Sequence, residues 1–295
     1  MGSLVSNTNN INIDDLSEPA TKLIDKLSSV LDWNISNMGA HRLAQKEYID
    51  YISSSDSIPA EVKPALIYHS KKIIKEFSNQ QDVVSYGVNL LNNVVYVDEI
   101  DDEWLYEFMD GAGKASTEEL KMLWGKILAT ECNEKDSVPK RLLYILKQMD
   151  SEVASSFTKL CSICIQFIND EGDAELQPIV INYQPKEHGL MYYNEIIELG
   201  TLGLIEYSNP QAGGFTINKL DDNQAIRYSG KEYNGLISDG VLHVGLVLFT
   251  KAGEALARVI DTESVPDYME NAYIPYVKHM EELIKEFESL ASEHQ

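Results

Sequence analysis

Positive charge is scarce in this chain. Its 295 residues carry 24 Lys and Arg against 47 Asp and Glu, a formal net charge of −23 at pH 7. Phosphate backbones are bound by local clusters of Lys and Arg, and anionic lipid surfaces attract the same groups. Neither nucleic acid nor a membrane is therefore an expected partner. Cysteine is scarcer still, with three in the chain. That odd number follows a polar, Asn-rich start that reads as no secretory signal peptide, so the expected compartment is a reducing cytoplasm. Long apolar runs are also missing: the longest, Val241 to Phe249, is far too short to cross a bilayer.

The residue patterns that usually carry chemistry are missing as well. Six histidines (His41, His69, His188, His243, His279, His294) are scattered without metal-ligand spacing. No Gly-x-Ser-x-Gly elbow occurs. The run Gly111 to Ser116 fails as a phosphate loop, because Ala115 follows Lys114 where Ser or Thr is needed and Phe108 stands at the first glycine position. The acidic run Asp98, Glu99, Asp101, Asp102, Glu103 lacks the spacing of a calcium loop and suits the first turn of a helix instead. Cys161 and Cys164 form a C-x-x-C inside a stripe (Val153, Phe157, Leu160, Cys161, Cys164, Ile168) that reads as helical. With Cys132 alone left to complete a zinc set, buried inert thiols are expected. No catalytic residue, cofactor or metal is expected. An enzyme whose site assembles from distant residues stays an alternative.

What is present is a core. Apolar residues make up 44% of the chain, enough to bury a sizeable interior. The organising stretch runs from Trp104 to Phe157. Ser116 and Glu119 have the spacing of a capping box, and Leu120, Leu123, Trp124, Ile127 and Leu128 follow as one helical stripe. Glu131 falls seven residues after Trp124 on that same stripe. A buried carboxylate needs a partner, and two are offered: Arg141, or the N-terminus of the next helix near Asp136 and Ser137. Glu131, Arg141, Trp104 and Trp124 are thus expected to form a structural polar core rather than a catalytic one.

The fold expected is mainly α, with a helical N-terminal two-thirds, a winged-helix-like α+β module and a C-terminal closing helix. The expected boundaries are a disordered tail over 1–16, a helical domain over 17–170, the α+β module over 176–261 and the closing helix over 268–292. In the first part Ser17-Glu18-Pro19 opens a helix. A second covers Gly39 to Ile52, Pro59 leads a third reaching Phe77, and Gln81 to Val95 reads as a fourth. In the module, strands are expected at Ile179–Ile181, Leu204–Tyr207, Gly213–Ile217, Ala225–Tyr228 and Val241–Phe249. Helices are expected over Tyr192–Leu202, ended by Gly203, and from Thr250 to Ile260. In the tail, Tyr276, Met280, Leu283, Phe287 and Leu290 recur at steps of four and three, a coiled-coil-like seam. It serves either to fold back on the body or to self-associate into a homo-oligomer.

Several of these segments together resemble a known family. They are the acidic lead-in to Trp104, Ser116 with Glu118, Leu123-Trp124, Ile127-Leu128-Ala129 and Glu131, then the Ser137-led helix and Phe157. The opening Pro19 to Ile24, and the late Leu-Gly-Leu-Ile and Leu-Phe-Thr-Lys-Ala-Gly-Glu-Ala-Leu-Ala, match in the same way. The resemblance is to an uncharacterised bacterial family catalogued only as a domain of unknown function, often met near mobile elements and phage-defence genes. It implies no catalytic residues. One departure is that Asn133-Glu134-Lys135-Asp136 stands where that family has a Pro-Gly-rich link.

Three functional readings follow. The first is a non-enzymatic cytoplasmic interaction or regulatory protein with a protein partner, in an abortive-infection type of phage defence. It draws on the resemblance, the missing chemistry and 16 tyrosines suited to contact surfaces. The second is a winged-helix DNA-binding regulator, against which stands a module with 6 basic and 10 acidic residues over 177–261. The third is an acidic nucleic-acid mimic, resting on a net −10 over residues 98–176 and −6 over 262–295.

Overall fold

The computed structural model describes residues 16–33, 38–169, 171–182, 190–209 and 214–293. The expected disordered tail lies outside them, its last residue apart. The protein is mainly α, with ten α-helices and eight short strands among the described residues. It forms two compact units, residues 1–147 and 148–295. The sequence reading draws its own boundary at the polar stretch 169–175.

Among the described residues, the elements of the first unit are all helical. α1 (Glu18–Leu31) starts where expected: the Ser17 hydroxyl accepts from the Ala20 N–H at 3.4 Å, Pro19 occupies the first turn, and Ala20, Leu23 and Leu27 are buried. α2 spans Met38–Ser54 and α3 Lys63–Val88. A 3-10 turn (Val97–Glu99) leads into α4 (Asp102–Lys114), α5 (Glu118–Asn133) and α6 (Lys140–Gln148). α3 is one 26-residue helix where two are expected. The polar residues that look like a break serve as donors between helices. Asn79 Nδ2 donates to the Gly113 carbonyl at 2.8 Å and Gln80 Nε2 to the Met109 carbonyl at 2.9 Å.

Glycines set how closely these helices approach. A Cβ on Gly125 of α5 would lie 2.5 Å from the Tyr86 Cβ and 3.0 Å from the Gly87 nitrogen and the Val83 carbonyl of α3. Real carbon contacts do not reach such distances, so the two backbones pack directly on each other.

The second unit mixes helix and strand. α7 (Ser151–Cys161) is capped by Asp150, whose carboxylate accepts from the Glu152 and Val153 N–H groups. β1 (Cys164–Ile168) follows, so the C-x-x-C does not lie within a helix as expected; it spans the helix end, a two-residue turn and the start of a strand. A strand thereby falls inside the segment 17–170 expected to be helical. Val153, Phe157 and Leu160 do form the buried helical stripe. From Cys164 onward the alternation Ile165 in, Gln166 out, Phe167 in is the strand period.

β2 (Ala174–Pro178) pairs antiparallel with β1, and β5 (Ile226–Tyr228) and β6 (Lys231–Tyr233) complete a four-stranded sheet in the order β2-β1-β5-β6. The strand expected at Ile179–Ile181 is a single bridge from Val180 to Gly245. α8 (Tyr193–Leu202) ends on Gly203 in the left-handed region (φ 83°), the position that favours glycine. β3 (Ile205–Tyr207) then pairs with β8 (Val247–Phe249), and β4 (Phe215–Ile217) with β7 (Leu242–Gly245). The run Val241–Phe249, expected as one strand, is thus two strands with different partners. Gly245 ends the first of them at φ 90°, where a Cβ would lie 2.3 Å from the Val180 carbonyl.

α9 (Lys251–Ala257) is capped by Thr250. The expected closing helix is a π-helical turn (Met269–Tyr273) running into α10 (Ile274–Glu293). Its beginning is docked on the second unit: Tyr268 and Tyr273 are buried and donate to the carbonyls of Ile179 and His243, each at 2.8 Å.

Candidate functional site

The central helices bring three of the four expected core residues together. Asp101 caps α4 by accepting from the Trp104 N–H at 2.9 Å, with Asp102 and Glu103 in the first turn where the helix dipole favours negative charge. That cap fixes the start of the helix and turns Trp104 inward. Its ring stacks on Phe108 (centroids 5.1 Å, 7° between planes), and Phe108 meets Trp124 edge-on at 5.4 Å. Gly111 leaves room for the Trp124 ring, which a Cβ there would approach to 2.1 Å. α5 begins one residue later than the spacing implies. Thr117, not Ser116, is the cap, accepting from the Leu120 N–H at 3.3 Å, so the expected Ser116–Glu119 box gives way to a Thr117 cap.

Glu131 is 5% exposed, at the far end of the same stripe. Of its two expected partners, the next helix's entry is the one used. One carboxylate oxygen accepts from the Val138 N–H at 2.7 Å and from the Ser137 hydroxyl at 3.4 Å. Arg141 is exposed, and among the described residues no hydrogen bond or ion pair joins it to Glu131, so it does not belong to the core as expected. The reason is helical phase. Leu142, Leu143, Ile145 and Leu146 are the buried residues of α6, which places Arg141 on its outer face.

The Val138 carbonyl accepts from Trp104 Nε1 at 2.9 Å. One peptide segment is therefore gripped by Glu131 through its N–H and by Trp104 through its C=O. Asp136 makes the turn before it at φ 56°, a left-handed conformation.

Burial pushes the Glu131 carboxyl above its ordinary value. The Val138 N–H and the Ser137 hydroxyl pull it partly back, and the charge of Asp136 pushes it up again. A carboxyl whose folded value lies above its unfolded one contributes stability that is complete below the unfolded value. That contribution is lost as pH rises through the folded value. Glu131→Gln keeps an oxygen for the Val138 N–H and removes the titration. Its melting temperature relative to the parent protein should therefore rise as the pH is raised from below to above the ordinary glutamate value of about 4.3. A difference that does not change with pH would show that the carboxylate is not desolvated.

Beside this core lies a lysine the sequence reading passes over. Lys121 Nζ meets Asp82 at 2.6 Å and Glu118 at 2.9 Å, and Tyr86 donates to the other Glu118 oxygen at 2.7 Å. Burial alone would lower the Lys121 value, but its hydrogen bonds to both carboxylates and their charges raise it overall. The signal was legible in retrospect. Lys121 is three residues before Trp124 and seven before Leu128, a buried-face position, with an acid three residues ahead of it. The network ties α3 to α5.

The remaining candidates for chemistry are two thiols and a histidine. Cys132 is fully buried and its thiol is pushed up to about 12 by burial and by Glu131. Burial also raises the Cys164 thiol well above its ordinary value. A thiol held protonated is a poor nucleophile and metal ligand. Burial lowers the His243 value, and its Nδ1 is enclosed with no hydrogen-bond partner among the described residues. A cleft of about 270 Å³ beside α10, lined by Tyr233, Leu236, Val277, Lys278 and Glu281 among others, has no histidine or thiol in its lining. Among the described residues no group of His, Cys, Asp or Glu is placed to hold a metal, and no helix is long and apolar enough to cross a membrane.

In the second unit the two late motifs meet. The Thr250 hydroxyl donates to the carbonyls of Gly203 (2.7 Å) and Leu204 (3.1 Å) and accepts from the Gly253 N–H at 3.1 Å. Gly253 packs against the Leu204 carbonyl, which a Cβ would approach to 1.9 Å. Leu-Gly-Leu-Ile and Leu-Phe-Thr-Lys-Ala-Gly are thus two sides of one junction that fixes α8–β3 against β8–α9.

On that junction sits an exposed aromatic face. Tyr192, Tyr193 and Tyr207 are 56%, 47% and 39% exposed, beside the exposed Ile197. The rings are held in place: Tyr193 and Tyr207 meet edge-on at 6.2 Å, Lys159 lies over Tyr192 at 5.5 Å, and Gly200 leaves space for Tyr207. Glu195 accepts from the Tyr192 N–H at 2.6 Å. No Lys or Arg occurs in α8. Sequence reading missed this face because Tyr207 comes from a different element.

The architecture defines a mainly helical protein whose first unit is locked by a Trp–Glu grip on a turn and whose second carries small antiparallel sheets. The chain belongs to the family described as "Protein of unknown function (DUF2806)", whose model matches residues 69–272. No curated protein and no solved structure matches the chain.

Proposed function

We propose that the chain is a non-catalytic cytoplasmic interaction and regulatory protein, and that the α8–β3 tyrosine face is where a partner protein binds. That face carries the reading. Its aromatic rings are exposed yet fixed by neighbours, so little rotamer entropy is lost when they are covered. Tyrosine is enriched at the anchoring centres of protein interfaces.

The order α8–β3–β8–α9 supports a winged-helix-like module, used here for protein contact. A helix with Glu195 and Glu198 and no basic residue gives phosphate nothing to bind. The acid-mimic reading is disfavoured by pairing across the central helices. Glu99 meets Lys135, Asp101 and Glu103 meet Lys140, Asp102 meets Lys26, and Glu107 meets Lys147. Acid so interleaved with lysine weakens the single-signed field that a decoy needs. The phage-defence setting rests on the family resemblance.

The test is a pull-down of tagged full-length protein from host lysate, with and without phage infection, beside a Tyr193→Ala/Tyr207→Ala double variant whose fold is checked by circular dichroism. The expected result is a stoichiometric protein partner whose recovery by the variant falls at least about tenfold, the loss of two interface anchors. A partner retained equally by the variant would remove the tyrosine face from the reading. Co-elution of nucleic acid alone, lost at higher salt, would replace the reading by DNA binding.

A further inference from the structure

α3 is longer than the bundle it belongs to. It meets α4 through Glu76, Asn79 and Gln80, and α5 through Asp82, Tyr86 and Gly87. The half before these residues packs on α2, where Ile52 is buried and Lys63 Nζ donates to the Ser53 carbonyl. Helical phase carries the inward stripe of Gln80, Val84 and Gly87 back to Ile73, His69, Leu66 and Val62. There it is uncovered: Val62, Leu66 and Ile73 are 44%, 39% and 63% exposed. The steps between these four residues are four, three and four, the spacing of a helix-pairing seam. The surrounding charge is the reverse of the protein's. Residues 62–75 carry Lys63, Lys71, Lys72 and Lys75 and no acidic side chain.

α10 offers the complement. Its first turns are docked through Tyr273 and Val277, while further along Ile284 and Leu290 are 40% and 55% exposed. In sequence its apolar positions repeat at the same alternating steps, from Tyr276 through Met280, Leu283 and Phe287 to Leu290. Residues 281–293 carry five glutamates against the one lysine, Lys285. The two segments therefore agree in seam spacing, are both unpartnered at apolar positions, and are opposite in charge.

We propose that the exposed half of α3 is the docking face for the end of α10 from a second copy of this chain. Each copy carries both elements, so the exchange can be reciprocal, with two equivalent helix pairs in a dimer. Apolar contact along the seam supplies affinity, and Lys63 and Lys72 opposite Glu282 and Glu286 set orientation and selectivity. None of these residues belongs to the tyrosine face, and the proposal does not depend on it.

Sedimentation velocity of the full-length protein over a range of concentrations tests this. The expected result is a monomer–dimer equilibrium that weakens between about 50 mM and about 500 mM salt as exposed charges are screened. Ile73→Asp and Leu290→Asp, both at exposed positions that leave the core intact, should each raise the dissociation constant at least about tenfold. Lys63→Glu/Lys72→Glu and Glu282→Lys/Glu286→Lys should each weaken the dimer, and the four changes combined should restore it. That compensation is an outcome misfolding cannot imitate. A monomer at every concentration, or a dimer indifferent to Ile73→Asp and Leu290→Asp, would overturn the proposal. A monomer in which the charge variants compensate each other in melting temperature would place the contact within one chain, against self-association. A monomer that retains a single-stranded oligonucleotide through Lys63 and Lys72 would assign the face to an anionic polymer instead.

Discussion

Trp104→Ala should lower stability by about 3–5 kcal/mol, the range for removing a large aromatic from a packed core. For a protein of this size that corresponds to a fall of roughly 6–20 °C in melting temperature. Two effects add. The ring is 3% exposed and stacked on Phe108, so its removal leaves a cavity bounded by residues that α4 and α5 cannot easily move. Its Nε1–H is also the donor to the Val138 carbonyl. Trp104→Phe separates the two: it keeps most of the stack and loses the donor, for an expected cost of about 1–3 kcal/mol, that of an unsatisfied buried carbonyl. Urea unfolding of the three proteins measures both. Equal losses for Phe and Ala would mean that the grip on Val138, rather than packing, dominates. A loss under about 1 kcal/mol for Ala would mean that the core is not organised around this ring.

Gly253→Ala should cost about 3 kcal/mol, at the top of the usual range for overpacking or beyond it. The obstacle to the new methyl is a backbone carbonyl, Leu204 O at 1.9 Å, rather than the end of a flexible side chain. Relief requires α9 to move away from the end of α8, which would also stretch the Thr250 hydrogen bonds to Gly203 and Leu204. Thr250→Ala is the comparison. It removes a helix cap without a clash and should cost about 1–2 kcal/mol. A smaller effect for Gly253→Ala than for Thr250→Ala in chemical denaturation would show that the junction can open without loss.

Much of this was legible in the residues themselves, and the failures have physical causes. The stripe through Trp124 and Glu131 is a long-period signal, and a charged residue on it announces a buried partner. The sequence left two partners for Glu131 open, because choosing required the phase of α6, which Arg141 alone does not reveal. The α8 end at Gly203 was readable from one glycine after a periodic helix. α3 was split in two because Asn79 and Gln80 look like a loop until α4's carbonyls are beside them. β1 was hidden because Val153, Phe157, Leu160 and Cys164 satisfy a helical period up to the residue where a strand begins. The tyrosine face combines residues from two elements, and no spacing rule joins Tyr193 to Tyr207.

The reach of the hydrogen bonds in the two units bears on synthesis. In the first unit the hydrogen bonds from Lys26 to Asp102 and from Tyr106 to the Val30 carbonyl are complete once residue 106 exists, and the Trp104 grip needs nothing beyond Val138. In the second, the Cys161-to-Cys164 turn hands its Ser162 carbonyl to Tyr228, and the Ile179 carbonyl waits for Tyr268. A ribosome that has released residue 180 has therefore delivered a first unit able to close, together with strands whose partners are still untranslated. Non-local pairing of this kind is the slow step in folding, and domains generally fold in order as they emerge. A stall or truncation between residues 180 and 268 would leave the β1–β2 hairpin with open edges on a finished helical unit, the form of the chain most prone to aggregate.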